Sequence, residues 1–269
     1  MTSTHQTKER VIRAGIATKG VVYCLAGILT VLSAFEISGG KNADTRDSLT
    51  FLASQPYGSI LLGLMALGLL GYAFWRMYQA IEDPENNSKS KKRMVTRLGY
   101  ALSGLFYASL CFYAIRLIMQ GASSANGGST RQSMVAKALE LPAGKWIIIL
   151  VALGFFAKAL YQFYKAYSGK FAEKVVDRSL PARTKDMFRT VGKVGYISRG
   201  VVISIIAYLL FRAGIEANPG KAGGSGEALS FIEKQGPFGS ILLAIVALGL
   251  VGYGIYMFVK ARYRDLSAV

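Results

Sequence analysis

The chain has 269 residues, of which 52% are hydrophobic, and its formal net charge is +17 at pH 7. One water-soluble core rarely combines so many apolar residues with so much charge, whereas a membrane protein collects its charges in the connecting loops. The composition therefore predicts a membrane protein. Its basic residues are better explained by membrane orientation than by a nucleic-acid partner, which we do not expect.

Six apolar runs follow one another along the chain, at 19–37, 57–80, 98–119, 145–166, 194–214 and 238–261. Each has about twenty residues or more, the length that an α-helix needs to span the hydrocarbon layer. The short alternating segments of a membrane β-barrel are not seen in the sequence. The predicted fold class is an all-α membrane protein with six transmembrane helices.

The second run contains an internal repeat. Its segment PYGSILLGLMALGLLGYAFW (56–75) returns as PFGSILLAIVALGLVGYGIY (237–256), with twelve of twenty positions identical. A more divergent copy, PAGKWIIILVALGFFAKALY, occupies 142–161. The odd-numbered runs repeat too, because they share the glycine spacing of Gly15–Gly20, Gly99–Gly104 and Gly195–Gly200. The repeating unit is a two-helix hairpin that occurs three times.

The hairpin repeat also predicts the organisation of the chain. Two crossings per unit give all three units the same orientation, so they are parallel repeats with a pseudo-threefold axis along the membrane normal. The expected segments are a polar N-terminal tail, three repeats and one basic cytoplasmic linker before the third repeat. Their boundaries are 1–12 for the tail, 13–85, 97–170 and 191–264 for the repeats, and 171–190 for the linker.

The distribution of Lys and Arg predicts the orientation. The N-terminal region, the connections after the second and fourth runs and the C-terminus together carry 20 of these residues, and the other connections carry 7. Basic loops stay in the cytoplasm. Both termini are therefore expected there.

These motifs resemble a known family. The units share a Pro-aromatic-Gly opening, an Ala-Leu-Gly-Leu core and a Gly-Tyr-x-x-Tyr/Trp close, and in this the chain is similar to the bacterial family called domain of unknown function 1206, from about Arg13 to Arg264. The second unit departs from the pattern at Ala143, Ala157 and Lys158, which replace the aromatic residue, the second Gly and the Tyr. The resemblance implies a six-helix bacterial membrane protein, hence one of the inner membrane. It brings no activity and no functional residue.

Glycines recur along one face of the second and sixth helices. Small residues let helix backbones approach closely in a membrane, so we expect these glycines to lie in helix contacts. The other interpretation is a set of hinges or a groove for a substrate. The residues are Gly63, Gly68, Gly71, Gly249 and Gly252.

Three cations inside the apolar runs are candidates for a ligand, lipid or pore site. Arg116 and Arg212 share one repeat position near the outer helix ends, where they either reach the interface or form part of a cationic ring around the axis. Lys158 lies about 10 Å inside the cytoplasmic helix end, at 1.5 Å per residue. It either extends to the interface or meets a polar partner, a ligand or an anionic lipid head group.

Groups that would support other functions are missing from the sequence. The one histidine is His5, in the polar tail, and Cys24 and Cys111 lie in apolar runs at positions that the repeat does not relate. No Asp or Glu occupies the middle of a span, and no nucleophile–base pair is evident. We therefore expect neither an enzyme nor a bound cofactor or metal.

The sequence thus predicts a non-catalytic multi-pass protein of the bacterial inner membrane, acting as a scaffold or accessory subunit. Its expected partners are anionic lipid head groups at the cytoplasmic face and either another membrane protein or a second copy of the chain. The alternative is a channel or facilitator for a small or anionic solute along the pseudo-threefold axis.

Overall fold

A computed structural model of the chain describes residues 2–35, 45–54, 57–82, 91–120, 129–173 and 182–263. These residues form helices and short turns, without a β-strand in the ranges just given. Pro56, the predicted repeat ends at 85 and 264, and part of the basic linker (174–181) lie outside the described residues. The helices are α1 Thr2–Ala34, α2 Thr45–Ala53, α3 Gly58–Glu82, α4 Lys91–Gln120, α5 Ser129–Leu139, α6 Gly144–Ser168, α7 Lys170–Glu173, α8 Ala182–Ile215, α9 Ser225–Glu233 and α10 Gly239–Tyr263.

The helices α1, α3, α4, α6, α8 and α10 are the six that are long and apolar enough to cross a membrane. The prediction of an all-α membrane protein with six transmembrane helices is confirmed. The residues of the predicted N-terminal tail are helical from Thr2 onwards, so they form the first turns of α1. We call the end of the bundle at which α1 begins and α10 ends the terminal side.

On the side opposite the terminal side, one short helix in each unit connects the two long helices. These short helices are α2 in the first unit, α5 in the second and α9 in the third. In the first and third units, α2 and α9 bury apolar side chains, among them Leu49, Leu229 and Ile232. In the second unit, no residue of α5 whose side chain the structure describes is fully buried. The second unit is therefore packed less tightly at this end.

The most extensive helix contacts join different units. Helix α3 packs on α4, α6 packs on α8, and α10 packs on α1. In each pair the second helix of one unit contacts the first helix of the next, and the third unit returns to the first. This cyclic pairing is the pseudo-threefold symmetry that the sequence repeat predicts.

The second glycine of each repeated pair makes these contacts possible. A β-carbon on Gly254 would lie 2.8 Å from the carbonyl oxygen of Gly20. The equivalent Gly104 and Gly200 face α3 and α6, where an added β-carbon would lie 2.9 Å from Met77 and 2.8 Å from the ring of Phe163. Absence of a side chain thus lets the paired helices approach closely.

A basic residue near the start of the first helix of each unit contacts the other helix of the same pair on the terminal side. Arg13 donates to the carbonyl oxygens of Ala261, at 2.7 Å, and Arg262, at the end of α10. Arg97 donates to the carbonyl oxygens of Ala80 and Ile81 at the end of α3, both at 2.6 Å. In the third pair, the equivalent residue is Lys193, whose Nζ lies 5.3 Å from the Tyr167 ring centroid. The two arginines satisfy carbonyl groups that a helix end leaves without partners, and they complement its dipole.

The two helices of the first unit contact each other, and so do those of the third. The first glycine of each pair lies in this contact: a β-carbon on Gly15 would lie 2.7 Å from Tyr72, and one on Gly195 would lie 2.6 Å from Tyr253. Gly68 and Gly249, two of the predicted packing residues, lie on the same contacts. A β-carbon on either would lie 1.8 Å from a hydroxyl oxygen, that of Thr18 or Ser198.

The second unit is split. Helices α4 and α6 do not pack along each other, although they belong to one repeat. Gly99 is the repeat equivalent of Gly15, and Gly154 is that of Gly68, yet no atom in the described part of the protein lies within 4 Å of a β-carbon built on either. An opening therefore separates α4 from α6.

The other predicted packing glycines differ in their surroundings. A β-carbon on Gly63 would have no neighbour within 4 Å among the described atoms, so this residue does not make the predicted helix contact. One on Gly252 would lie 3.4 Å from Val191, an ordinary van der Waals distance. Gly71 is half-buried.

We predict that Gly254→Ala destabilises the bundle by about 1–3 kcal/mol, the usual cost of an overpacked contact. The matched control is Gly63→Ala on α3, where the added methyl group meets open space. Because alanine favours a helix over glycine, the control is expected to leave the thermal unfolding temperature unchanged or raise it. Equal unfolding temperatures for the two variants in one detergent would contradict the close α1–α10 contact.

We also predict that Arg97→Met lowers the free energy of unfolding by about 1.5–3 kcal/mol, because hydrogen bonds to a charged group are lost. The control is Arg189→Met, which removes an exposed arginine from α8. The measurement is thermal unfolding in detergent at one salt concentration. An equal loss in both variants would show that the contact with α3 contributes no more than a surface charge.

Candidate functional site

A lysine lies buried at the centre of the bundle. Lys19 is on α1, seven residues beyond the start of the apolar span at Ile12, or about 10 Å from the terminal side. Its side chain is 6% exposed. Its Nζ lies 5.6 Å from the ring centroids of Tyr72, Tyr107 and Tyr253. The ring of Tyr23 follows at 6.0 Å. Three neighbouring helices and α1 itself thus surround this ammonium with aromatic faces.

Two arginines extend this arrangement. Arg199, the repeat equivalent of Lys19, donates a 2.7 Å hydrogen bond to the hydroxyl of Tyr253. Its guanidinium also lies 5.3 Å from the ring of Tyr23. Arg76 donates to the hydroxyl of Tyr72 at 2.6 Å and 3.0 Å. We call these three cations and their rings the cation–tyrosine cluster: Lys19, Arg76, Arg199, Tyr23, Tyr72, Tyr107 and Tyr253.

The cluster has an excess of positive charge. Among the residues that the structure describes, none of its three cations forms an ion pair with Asp or Glu. The two arginines lie against the same rings as Lys19, because the Arg76 guanidinium is 5.1 Å from the ring centroid of Tyr72 and the Arg199 guanidinium is 4.9 Å from that of Tyr253. A lysine costs about 2.5–3.5 kcal/mol at the bilayer centre on insertion scales, which is an upper bound for Lys19, and cation–π contacts return about 2 kcal/mol when desolvated. An anion placed among these groups would supply the missing charge.

An aromatic layer lies between the cluster and the terminal side. The ring of Tyr196 packs 5.3 Å from that of Tyr253 and 5.5 Å from that of Tyr256. The short helix α7 adds Phe171, whose carbonyl oxygen accepts a 2.9 Å hydrogen bond from the hydroxyl of Tyr256. Phe188 stacks on Tyr256 at 5.1 Å. These four buried rings separate the cluster from the terminal side.

Lys158, a predicted site residue, lies on α6 at the opening between α4 and α6. It occupies the repeat position of Tyr72 and Tyr253, the two tyrosines that close the helix contacts of the other units. Its side chain is exposed, and its Nζ lies 5.7 Å from the ring of Phe155 on its own helix. The lysine thus borders the opening, while its predicted part in binding stays a prediction.

The other two predicted cations lie outside the cluster. Arg212 forms a 2.6 Å ion pair with Glu216 one turn later, and both side chains are more than a third exposed. Arg116 is exposed and donates a 2.8 Å hydrogen bond to Gln120. With Arg212 neutralised by a carboxylate, the predicted outer ring of cations has less charge than the sequence suggests.

The sequence interpretation missed the cluster because each of its members has an ordinary explanation. Lys19 counts among the basic residues that orient the chain, and the tyrosines belong to the repeat motif. The available signal was the alignment of Lys19 with Arg199, since both lie inside apolar spans at one repeat position. A cation that recurs in that place marks the centre of the bundle.

Comparison with known proteins identifies the family. The model of the family described as Domain of Unknown Function (DUF1206) matches three stretches of this chain, at 14–83, 98–169 and 194–264. An uncharacterised protein of Bacillus subtilis strain 168, YxxB, is 30% identical over 259 residues, covering 96% of this chain and 92% of its own. No solved structure matches the chain.

We predict that Lys19→Met stabilises the protein by about 1 kcal/mol when no anion is present, the difference between the membrane cost of the charge and its cation–π contacts. The measurement is thermal unfolding of delipidated protein in a nonionic detergent. Lys158→Met, at the exposed edge, serves as the control and is expected to change the unfolding temperature less. A lower unfolding temperature for Lys19→Met would show that the tyrosines alone compensate the charge.

Proposed function

The chain belongs to the DUF1206 family, and we propose that it is a non-catalytic protein of the bacterial inner membrane that binds the head group of an anionic lipid inside its helix bundle. In this role it serves as a scaffold or accessory subunit, and both of its termini lie in the cytoplasm. The proposal rests on the geometry of this chain, because the family description states no activity.

The observation that carries the proposal is the uncompensated charge around Lys19. Its ammonium is buried and meets four tyrosine rings, with Arg199 and Arg76 close by and no carboxylate partner in the described ranges. Charges in lipid are expensive, and such groups usually act on ligands, ions or partners. A phosphate-type anion matches this set, because arginine and lysine are its common protein ligands.

The position of the cluster favours a lipid of the cytoplasmic leaflet. The terminal side carries most of the loop Lys and Arg of the sequence, and anionic lipids attract such residues on the cytoplasmic face. The cluster lies about 10 Å from that side, which is within reach of a head group drawn slightly into the bundle. A protein partner, either another membrane protein or a second copy, would then bind to the lipid-loaded protein.

A channel along the pseudo-threefold axis has weaker support. Tyr72, Tyr107 and Tyr253 surround Lys19 and are each less than a tenth exposed. The aromatic layer lies between them and the terminal side. Arg212 is neutralised by Glu216, so it attracts an outer anion less strongly.

We predict that phosphatidylglycerol or cardiolipin remains bound to the wild-type protein after mild solubilisation, at about one molecule per chain. In Lys19→Met/Arg199→Met the bound amount falls at least tenfold, because the two central cations are lost. Native mass spectrometry measures the amount of lipid bound per chain. Arg116→Met/Arg212→Met removes two charges at the outer ends and is expected to retain the lipid. Equal lipid content in both double variants would overturn the proposed site.

Flux measurements distinguish the alternative function. Proteoliposomes that contain the wild-type chain are expected to show no saturable anion flux, because the buried aromatic layer separates the cluster from the terminal side. Saturable or charge-selective flux that is lost in Arg116→Ala/Arg212→Ala would instead support a channel and overturn a purely binding role.

A further inference from the structure

We infer that the split second unit is the lateral entrance of this site, where one anionic glycerophospholipid places its head group beside Lys158 and an acyl chain between α4 and α6. The inference rests on the proposed function, since it concerns the same cluster. It adds the route from the bilayer, the part of the lipid that is recognised and the reason why one repeat differs from the other two.

The first argument is the missing helix contact. In the first and third units, an added β-carbon on Gly15 or Gly195 would collide with a tyrosine of the second helix. In the second unit, Gly99 and Gly154 have no described neighbour within 4 Å of such a carbon. The glycines of this unit therefore border open space at the level where the other two units are closed.

The second argument is the exchange of tyrosine for lysine at the closing position. Tyr72 and Tyr253 lie in the helix contact of their own units, and their rings also surround the ammonium of Lys19. Lys158 stands at their repeat position with an exposed side chain. The lysine replaces the tyrosine ring that closes this contact in the other units, and it places a fourth cation at the entrance. An arriving anion therefore meets positive charge before it reaches the cluster.

The third argument is the polarity along the opening. Lys158 lies nearest the terminal side, two residues from the midpoint of α6, and Gly154 and Val151 follow toward the other side, over about 10 Å. The facing positions on α4 carry Leu102 and Phe106, whose side chains are 59% and 49% exposed. In the first and third units the equivalents of Leu102 are Thr18 and Ser198, which lie in the closed helix contact.

This order of groups matches a lipid of the leaflet on the terminal side. Its phosphate lies near the basic end of the opening, and its acyl chain runs inward along the apolar part. A protein helix matches less well, because it would place its own backbone and side chains beside Lys158 and needs about 8–10 Å to each neighbouring helix axis. Charge complementarity therefore commits the site to an anionic lipid.

The test fills the opening without touching the cluster. In Gly99→Leu/Gly154→Leu, the new side chains occupy the space that the acyl chain would take, and no described neighbour lies within 4 Å of the added β-carbons. Gly63→Leu is the matched control, since it adds the same side chain to open space on α3. The probe is phosphatidylglycerol in nanodiscs of phosphatidylglycerol and phosphatidylcholine, with bound lipid quantified by native mass spectrometry.

We expect the double variant to lose at least tenfold of the bound phosphatidylglycerol, while Gly63→Leu retains it. Lys158→Met is expected to lose about fivefold and Lys158→Arg to lose less than twofold, because the arginine preserves the charge at the entrance. A purely structural lysine would not show this difference between methionine and arginine.

Photolabelling of the wild-type chain gives an independent result that does not depend on a variant that folds. Phosphatidylglycerol with a photoreactive acyl chain is expected to label Leu102 and Val151, and unlabelled phosphatidylglycerol should compete where phosphatidylcholine does not. Leu64 on α3, an exposed residue away from the opening, should be labelled without such competition.

The outcomes separate the two proposals. If Lys19→Met/Arg199→Met loses the lipid but the glycine variant and the photolabel show no preference for the opening, the lateral route is wrong and the anionic site stands. If none of the variants loses lipid, both proposals are wrong. If a protein or a second copy is lost from the glycine variant while lipid is retained, the occupant of the opening is that chain, and the lipid assignment is overturned.

Discussion

The structure depends on a group of cations placed where a membrane protein can least easily hold them. Lys19, Arg199 and Arg76 meet at the centre of the bundle, and the tyrosines around them supply aromatic faces and hydroxyl groups. These contacts lower the cost of burial, but they leave the net charge unchanged. The tyrosines of the repeat motif therefore have two roles: they pack the helices together, and they lower the cost of a charged centre.

The architecture explains how such a centre is built. Each unit is a hairpin in sequence, but its strongest contacts are with the neighbouring units, so the three units close into a ring. The two glycines at the start of the first helix of each unit have different neighbours. In the first and third units one glycine faces the second helix of its own unit, and in all three units the other faces the preceding unit, the third unit preceding the first. The two long helices of the second unit pack against helices of the neighbouring units but not along each other. Because its inner glycines have no neighbour within 4 Å among the described residues, the ring is open beside Lys158 in this part of the chain.

The helices and the symmetry were accessible from the sequence because they depend on local and periodic properties. Apolar length predicts a span, and a twelve-in-twenty match between 56–75 and 237–256 predicts repetition. The site was accessible only in part. Lys158 stood out because it breaks the repeat, whereas Lys19 did not, because a basic residue near an N-terminus has an adequate explanation in membrane orientation. Gly63 satisfied the same spacing rule as Gly68 and yet meets open space.

The sequence by itself determined the number of spans, their grouping into three parallel units and the divergence of the second unit, since each follows from composition or from comparison of the chain with itself. Only the tertiary structure decided which helices pair, which glycines are in contact and which charges meet. Those properties depend on the side of a helix that faces a neighbour distant in the chain. Lys19 and Arg199 are 180 residues apart, and it is the closing of the third unit onto the first that brings their charges to one set of tyrosines.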